Sequence, residues 1–141
     1  VARDRLASAD AALAGLEGWK AVTGGRTRAE SVQAGLAAIT AARTQPVLIH
    51  DAARPFVGKA HVDRLLAALD LADGAIPTLP VPDTLKRGEG LVDETVSREG
   101  LWRAQTPQAF RFGKLKAAYR RWPAGEEPTD DASVMACIGR S

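Results

Sequence analysis

The sequence predicts an open α/β fold, a parallel sheet covered by helices on both faces, with a β-hairpin that projects from it. Three observations predict this. Val47-Leu48-Ile49 is a short unbroken apolar run, which suits a strand buried on both sides. Val62, Leu65, Leu66 and Leu69 follow it at i, i+3, i+4 and i+7, the stripe of a core-facing helix. From residue 83 to about 103 the alternation of strand and helix breaks, and two extended stretches flank the turn Gly88-Glu89-Gly90.

The elements follow in order. Residues 3–13 predict an alanine-rich helix with Leu6 and Leu13 one heptad apart. Trp19-Lys20-Ala21-Val22 predicts a short strand running into the sharp turn at Thr23-Gly24-Gly25. Residues 28–40 predict a second helix, with Ala29, Val32, Leu36 and Ile39 on its apolar face. Pro46 and Pro55 bound the apolar strand, and a helix is expected over residues 59–72. Pro77, Pro80 and Pro82 forbid a helix over 74–82 and leave an edge or irregular strand. Residues 102–106 predict a strand that Pro107 stops, and 112–122 a helix with Leu115, Ala118, Tyr119 and Trp122 on one face. Thr129 or Asp130 caps a last short helix through Cys137, since either side chain can accept from helix N–H groups.

Composition narrows the function classes. The chain has 141 residues, enough for one domain with a core. A net charge of +2 is too small to indicate nucleic-acid binding. No apolar run reaches the roughly 20 residues that span a bilayer, and no signal peptide is visible. The single cysteine forms no internal disulfide, and no Cys/His cluster has zinc spacing. A reduced, cytoplasmic setting is expected. Cys137 is read as buried filler rather than a nucleophile, and Trp19, Trp102 and Trp122 as core or interface. The chain starts at Val1 without Met and stops at Gly139-Arg140-Ser141, so both ends read as cut from a longer polypeptide.

His50-Asp51-Ala52-Ala53-Arg54-Pro55 stands where ligands bind in an open sheet, just past the carboxyl end of a strand. A carboxylate there holds Mg²⁺ or sugar hydroxyls, and Arg54 can clamp a phosphate in bidentate fashion. Ala52 and Ala53 are small enough to let a ligand reach the backbone. The competing reading is an Asp–Arg ion pair that fixes the strand exit. Gly24-Gly25-Arg26-Thr27-Arg28-Ala29-Glu30-Ser31 is a glycine turn opening a helix, suited to an anion or a base edge, or else an ordinary turn and cap. Thr84, Lys86 and Arg98 flank the hairpin and could meet phosphate, or could form cross-strand polar pairs. Thr106 ends a strand with its hydroxyl available. His50 is read as structural, and His61 as a surface residue.

These pieces, in this order and spacing, resemble the 2-C-methyl-D-erythritol 4-phosphate cytidylyltransferases of non-mevalonate isoprenoid synthesis. They are Gly24-Gly25 with Arg28 and Ser31, the HDAARP stretch, Asp83-Thr84-Leu85-Lys86, Thr95-Val96-x-Arg98, Gly100 to Gln108, and Thr129-Asp130-Asp131-Ala132-Ser133. The resemblance implies a Rossmann-like open parallel sheet with flanking helices and a hairpin arm at about 83–103 that builds a homodimer. It implies transfer of CMP from CTP to the polyol phosphate, with Mg²⁺ or another divalent cation bound. Gly24, Gly25 and Ser31 would then hold the cytosine end, with Asp51 and Ala52 at the ribose and substrate side. Arg54, Thr84, Arg98 and Thr106 would hold the acceptor phosphate. Arg98, reaching over from the neighbouring subunit's hairpin, would act catalytically by positioning that phosphate.

The chain also departs from the pattern. The family's first strand and glycine-rich loop, with an Arg and a Lys for the triphosphate, have no counterpart from Val1 onward, and neither does its late substrate-binding Lys. Residues 1–141 are therefore read as a partial nucleotidyltransferase domain, weak or inactive alone. Arg26 stands where relatives can carry an acidic residue, and Ser97 where Asp is common. Three other organisations stay open. They are a cytidylyltransferase for another polyol phosphate such as ribitol 5-phosphate, a non-catalytic dimerising nucleotide-binding module, and one half of a fusion to a later pathway enzyme.

Overall fold

A computed structural model describes residues 1–137; residues 138–141, with Gly139-Arg140-Ser141 among them, lie outside the described residues. A 3-10 turn, Arg3–Arg5, leads into α1 (Leu6–Ala12). The predicted strand at 19–22 does not form. Only the Val1 backbone brackets Thr23: its amine donates to the Val22 carbonyl and its carbonyl accepts from Gly24 N–H, both at 2.9 Å. That is the pattern of a parallel pair over a single residue, too short to make a ladder.

Helix α2 (Arg28–Ala38) begins at Thr27, whose hydroxyl accepts from Glu30 N–H at 3.1 Å. Strand β1 (Pro46–Ile49) and helix α3 (Lys59–Ala68) follow. Beyond them lie β2 (Gly74–Ala75), β3 (Thr78–Pro80), β4 (Leu85–Arg87), β5 (Glu94–Val96), β6 (Trp102–Ala104) and β7 (Gln108–Arg111). Helix α4 (Phe112–Arg121) and helix α5 (Asp131–Ala136) complete the described chain. Asp130, not Thr129, caps α5, through a reciprocal box with Ser133.

The central sheet has the order β1-β7-β2. β7 runs antiparallel to both neighbours, so β1 and β2 run the same way but do not touch. This corrects the expected parallel sheet. β1–α3–β2 keeps the parallel sense that a strand–helix–strand unit requires. The chain then returns through the β3–β6 segment and enters between them from the opposite end. β3 pairs with β6, and β4 with β5, as separate two-stranded ladders.

The local sequence does not predict β7, because Pro107 reads as a stop and only Ala109 and Phe110 are apolar. Yet β7 organises the core. Successive residues on a strand point to opposite faces. Ala109 packs with Leu65 and Leu69 of the α3 segment. Phe110 packs on the other face with Leu36, Leu115, Tyr119 and Val134. Helices thus cover both faces of this short strand. Gly74 makes room for that arrangement, since a Cβ there would sit 2.7 Å from the Phe110 ring.

Two smaller expectations change, and a third narrows. Cys137 is exposed, because the six-residue α5 ends before it. Trp102, read as core or interface, is 61% exposed and belongs to no core of this chain, which leaves the interface reading. His61 is half-buried at the start of α3.

Candidate active site

β1 stops at Ile49 and the chain turns at once, with Arg54 N–H donating to the Asp51 carbonyl at 2.9 Å. The turn sets the Asp51 carboxylate between two guanidinium groups. Oδ1 faces Arg28 Nε at 3.4 Å and Oδ2 faces Arg54 Nε at 3.6 Å. Arg28 comes from the first turn of α2, so the glycine turn and the strand end meet here.

Arg28 continues inward. Its second guanidinium nitrogen lies 2.7 Å from Asp131 Oδ2, and the Tyr119 hydroxyl donates to Asp131 Oδ1 at 2.6 Å. Asp131 is fully buried. Burial acts to lower the pKa of the Arg28 guanidinium, but the hydrogen bonds and charges of Asp131 and then Asp51 outweigh it and leave it raised. Burial pushes the Tyr119 phenol up, and the Asp131 carboxylate it donates to adds to the rise.

On the other side, Thr106 joins β1 to the approach of β7. Asp51 N–H donates to its Oγ1 at 3.2 Å, and the same oxygen lies 3.0 Å from His50 Nδ1. His50 Nε2 lies 2.7 Å from the Arg54 carbonyl, which can only accept. Nε2 therefore carries the proton, and in the neutral ring Nδ1 accepts from the Thr106 hydroxyl. His50 is thus a brace for the turn, in keeping with its structural reading. Arg54 also donates to the Gln105 side chain. Gln108, 1% exposed, donates to Asp130 and accepts from Ala132 N–H, tying β7 to α5.

Two clefts open around this turn. One, of about 330 Å³, is lined by Arg28, Asp51, Arg54, Thr106, Thr129 and Asp130 among others. The second, of about 680 Å³, shares Arg54 and Thr106 and extends past His50, His61 and Arg64. A carboxylate fixed between cations, beside a hydroxyl, suits a ligand that carries both hydroxyls and phosphate.

The structure therefore brings together Asp51, Arg54 and Thr106, with Ala52 exposed in the same turn. Gly24, Gly25 and Ser31 form their own turn at the head of α2. Gly25 N–H donates to Ser31 Oγ at 3.1 Å, and that hydroxyl donates to the Thr27 carbonyl at 2.9 Å. A Cβ on Gly24 would lie 2.6 Å from Ser31 Oγ, and one on Gly25 would collide with Glu30. Thr84 and Arg98 sit exposed at the hairpin and line neither cleft, and Arg98 donates to the Pro82 carbonyl. Within one chain neither bonds to Asp51, whose partners are Arg28, Arg54 and Thr106.

Sequence reasoning missed Asp131, Tyr119, Gln105 and Gln108 as parts of this site. Arg28 and the Thr129–Ser133 run carried a signal, as motif members, but nothing local revealed their pairing. Among the described residues no group of three or more His, Cys, Asp or Glu could hold a metal, and no helix is long and apolar enough to cross a membrane.

The family model for IspD, 2-C-methyl-D-erythritol 4-phosphate cytidylyltransferase, matches residues 2–141. A bifunctional enzyme IspD/IspF of Caulobacter vibrioides is 57% identical over 129 residues, 90% of this chain and 34% of that protein. The chain thus spans about a third of the length of the curated relatives it matches. The crystal structure of 2-C-methyl-D-erythritol 4-phosphate cytidylyltransferase from Thermus thermophilus superposes with a TM-score of 0.74 at 39% identity, covering 89% of this chain and 64% of that one. The 4-diphosphocytidyl-2C-methyl-D-erythritol synthase from Anaerococcus prevotii reaches a TM-score of 0.84 at 28% identity, covering 99% and 63%. The bifunctional IspDF of Campylobacter jejuni reaches 0.77 at 32% identity, over 96% of this chain and 33% of that one. With the strand-end turn and its arginines in place, these matches lead to one conclusion: the chain belongs to the 2-C-methyl-D-erythritol 4-phosphate cytidylyltransferase family.

Proposed function

We propose that this chain supplies the acceptor side of a cytidylyl-transfer site that moves CMP from CTP to 2-C-methyl-D-erythritol 4-phosphate and releases diphosphate. The observation that carries the reading is Asp51, held at the end of β1 between Arg28 and Arg54 and beside Thr106. In the reaction a phosphate oxygen of the acceptor forms a bond to the α-phosphorus of CTP, and the bond to the β-phosphate oxygen breaks. The acceptor phosphate is already ionised, so no general base is needed. Positioning and charge neutralisation carry the step.

In this reading Arg54 and Thr106 bind the acceptor phosphate, and Asp51 and Ala52 meet hydroxyls of substrate and ribose. Gly24, Gly25 and Ser31 present backbone and hydroxyl groups to the cytosine. Arg98 and Thr84 reach the site from the hairpin, at about 83–103, of a second copy in a homodimer. The exposed side chains of both residues, unattached to their own cleft, support that role. Mg²⁺ supplies charge neutralisation on the triphosphate when bound. Asp51, the one carboxylate in the turn, would hold the ion directly or through water. Residues 1–141 act as part of a nucleotidyltransferase domain. The bifunctional relatives favour its fusion to a later enzyme of the same pathway.

The test is diphosphate release by the protein at its natural length, with methylerythritol phosphate and ribitol 5-phosphate compared as acceptors. Turnover with the first and little with the second is expected. A preference for ribitol 5-phosphate, or no turnover with either, would overturn the assignment.

A further inference from the structure

The Tyr119–Asp131–Arg28 chain runs from two buried groups to the cleft, where Arg28 is 37% exposed, and it has no assigned role in the proposed reaction, yet it ends on Asp51. We propose that Arg28, clamped by Asp131, is a positioning residue that fixes the plane of the Asp51 carboxylate, so that α4 and α5 control how the acceptor is held. The inference rests on the proposed cytidylyl transfer.

The geometry carries it. Both oxygens of Asp131 are occupied, Oδ1 by the Tyr119 hydroxyl and Oδ2 by Arg28. A carboxylate held at both ends in a site with no water exposure does not rotate. Arg28 in turn spans two carboxylates with different nitrogens, Nε to Asp51 and a terminal nitrogen to Asp131. The two oxygens of Asp51 are then divided between Arg28 and Arg54. Without Arg28, Asp51 would keep only Arg54, its neighbour three positions along an exposed turn. A pair of that kind contributes little order by itself.

A purely structural role is the competing account. Breaking a buried ion pair is costly, yet an intact one adds little over an apolar replacement, so stability alone is a weak reason to have it. The two accounts separate by chemistry. A lysine at 28 keeps the charge but lacks the rigid fork, and one ammonium cannot meet both carboxylates in the same geometry.

The experiment uses the protein at its natural length with Arg28→Lys, Asp131→Asn and Asp51→Asn. Arg28→Lys is expected to lower kcat/KM for the acceptor by at least about tenfold while the KM for CTP changes little. In the Asp51→Asn background the same substitution is expected to add no more than about twofold, because Arg28 acts through Asp51. Full multiplication of the two effects, or a loss that simply follows the fall in Tm, would overturn the inference. A second readout does not depend on activity. In nitrogen-15 NMR the terminal Arg28 Nη–H that faces Asp131 should give a resolved, slowly exchanging signal that Asp131→Asn collapses towards the free arginines. An unchanged signal would overturn the clamp. A wild-type protein without turnover would instead remove the proposed function and leave the NMR result to decide the clamp.

Discussion

The backbone N–H of Asp51 donates to the Thr106 hydroxyl across 3.2 Å, which ties the exit of β1 to the segment entering β7. The bond is made where the two clefts share a wall. The chain that presents Asp51 is therefore held by a residue that also faces the ligand space. Thr106 has two partners, since its hydroxyl lies 3.0 Å from His50 Nδ1 as well.

Thr106→Val keeps the shape and removes both bonds. It should destabilise the protein by about 1 kcal/mol, because the half-buried Asp51 N–H loses its acceptor, while the exposed His50 ring nitrogen can turn to water. Urea melts of wild type and variant measure this. The kcat/KM for the acceptor should fall further than the stability loss explains, since the Asp51 turn loosens.

Arg98→Ala separates folding from function in the opposite direction. Arg98 is exposed and makes one bond, to the Pro82 carbonyl. Its removal should cost no more than about 0.5 kcal/mol, as for most surface changes. If Arg98 reaches the acceptor phosphate of a second copy, turnover should drop by at least about a hundredfold. Mixing Arg98→Ala with an Asp51→Asn variant should restore part of the activity, because each mixed dimer rebuilds one intact site. No recovery on mixing would count against a shared site.

What the sequence made legible follows from range. The Asp51–Arg54 turn was readable because a strand, a proline and the charged residues lie within one short run. Helices α3 and α4 were readable from their apolar spacing. β7 was not, because its burial comes from the helices on either side and not from its own four residues, two of which are polar. Arg28 and Asp131 lie 103 positions apart, and no local pattern announces such a pair. The direction of β7 was hidden for the same reason. Strand polarity depends on where the chain re-enters the sheet, which the β3–β6 excursion decides.

Gly25→Ala tests the turn at the head of α2. A Cβ would collide with the Glu30 side chain, whose Oε2 accepts from Arg26 N–H at 2.6 Å. The turn must shift, and Ser31 Oγ loses its donor from Gly25. The KM for CTP should rise several-fold while the KM for the acceptor changes less, if this turn meets the cytosine. Steady-state kinetics with each substrate varied in turn decides it. Equal effects on both would mean that the turn serves α2 rather than the nucleotide.

Tyr119 gives the protein a signature in alkali. Its ordinary pKa is 10.0, and burial raises it in the folded protein, with the Asp131 carboxylate adding to the rise. Above pH 10 the unfolded chain releases this proton and the folded chain keeps it, so folding binds more protons and stability falls as pH increases. The contribution is complete below the unfolded pKa and drains away above it, at up to about 1.4 kcal/mol per pH unit. Tyr119→Phe cannot titrate, so its stability curve should be flatter than wild type above pH 10 by that slope. Below pH 9 the variant should be the less stable of the two, because Asp131 has lost a donor from its buried Oδ1. Denaturant melts across pH 8–11 for both proteins measure the difference. Parallel curves over the whole range would show that the Tyr119 phenol is not held protonated by its burial.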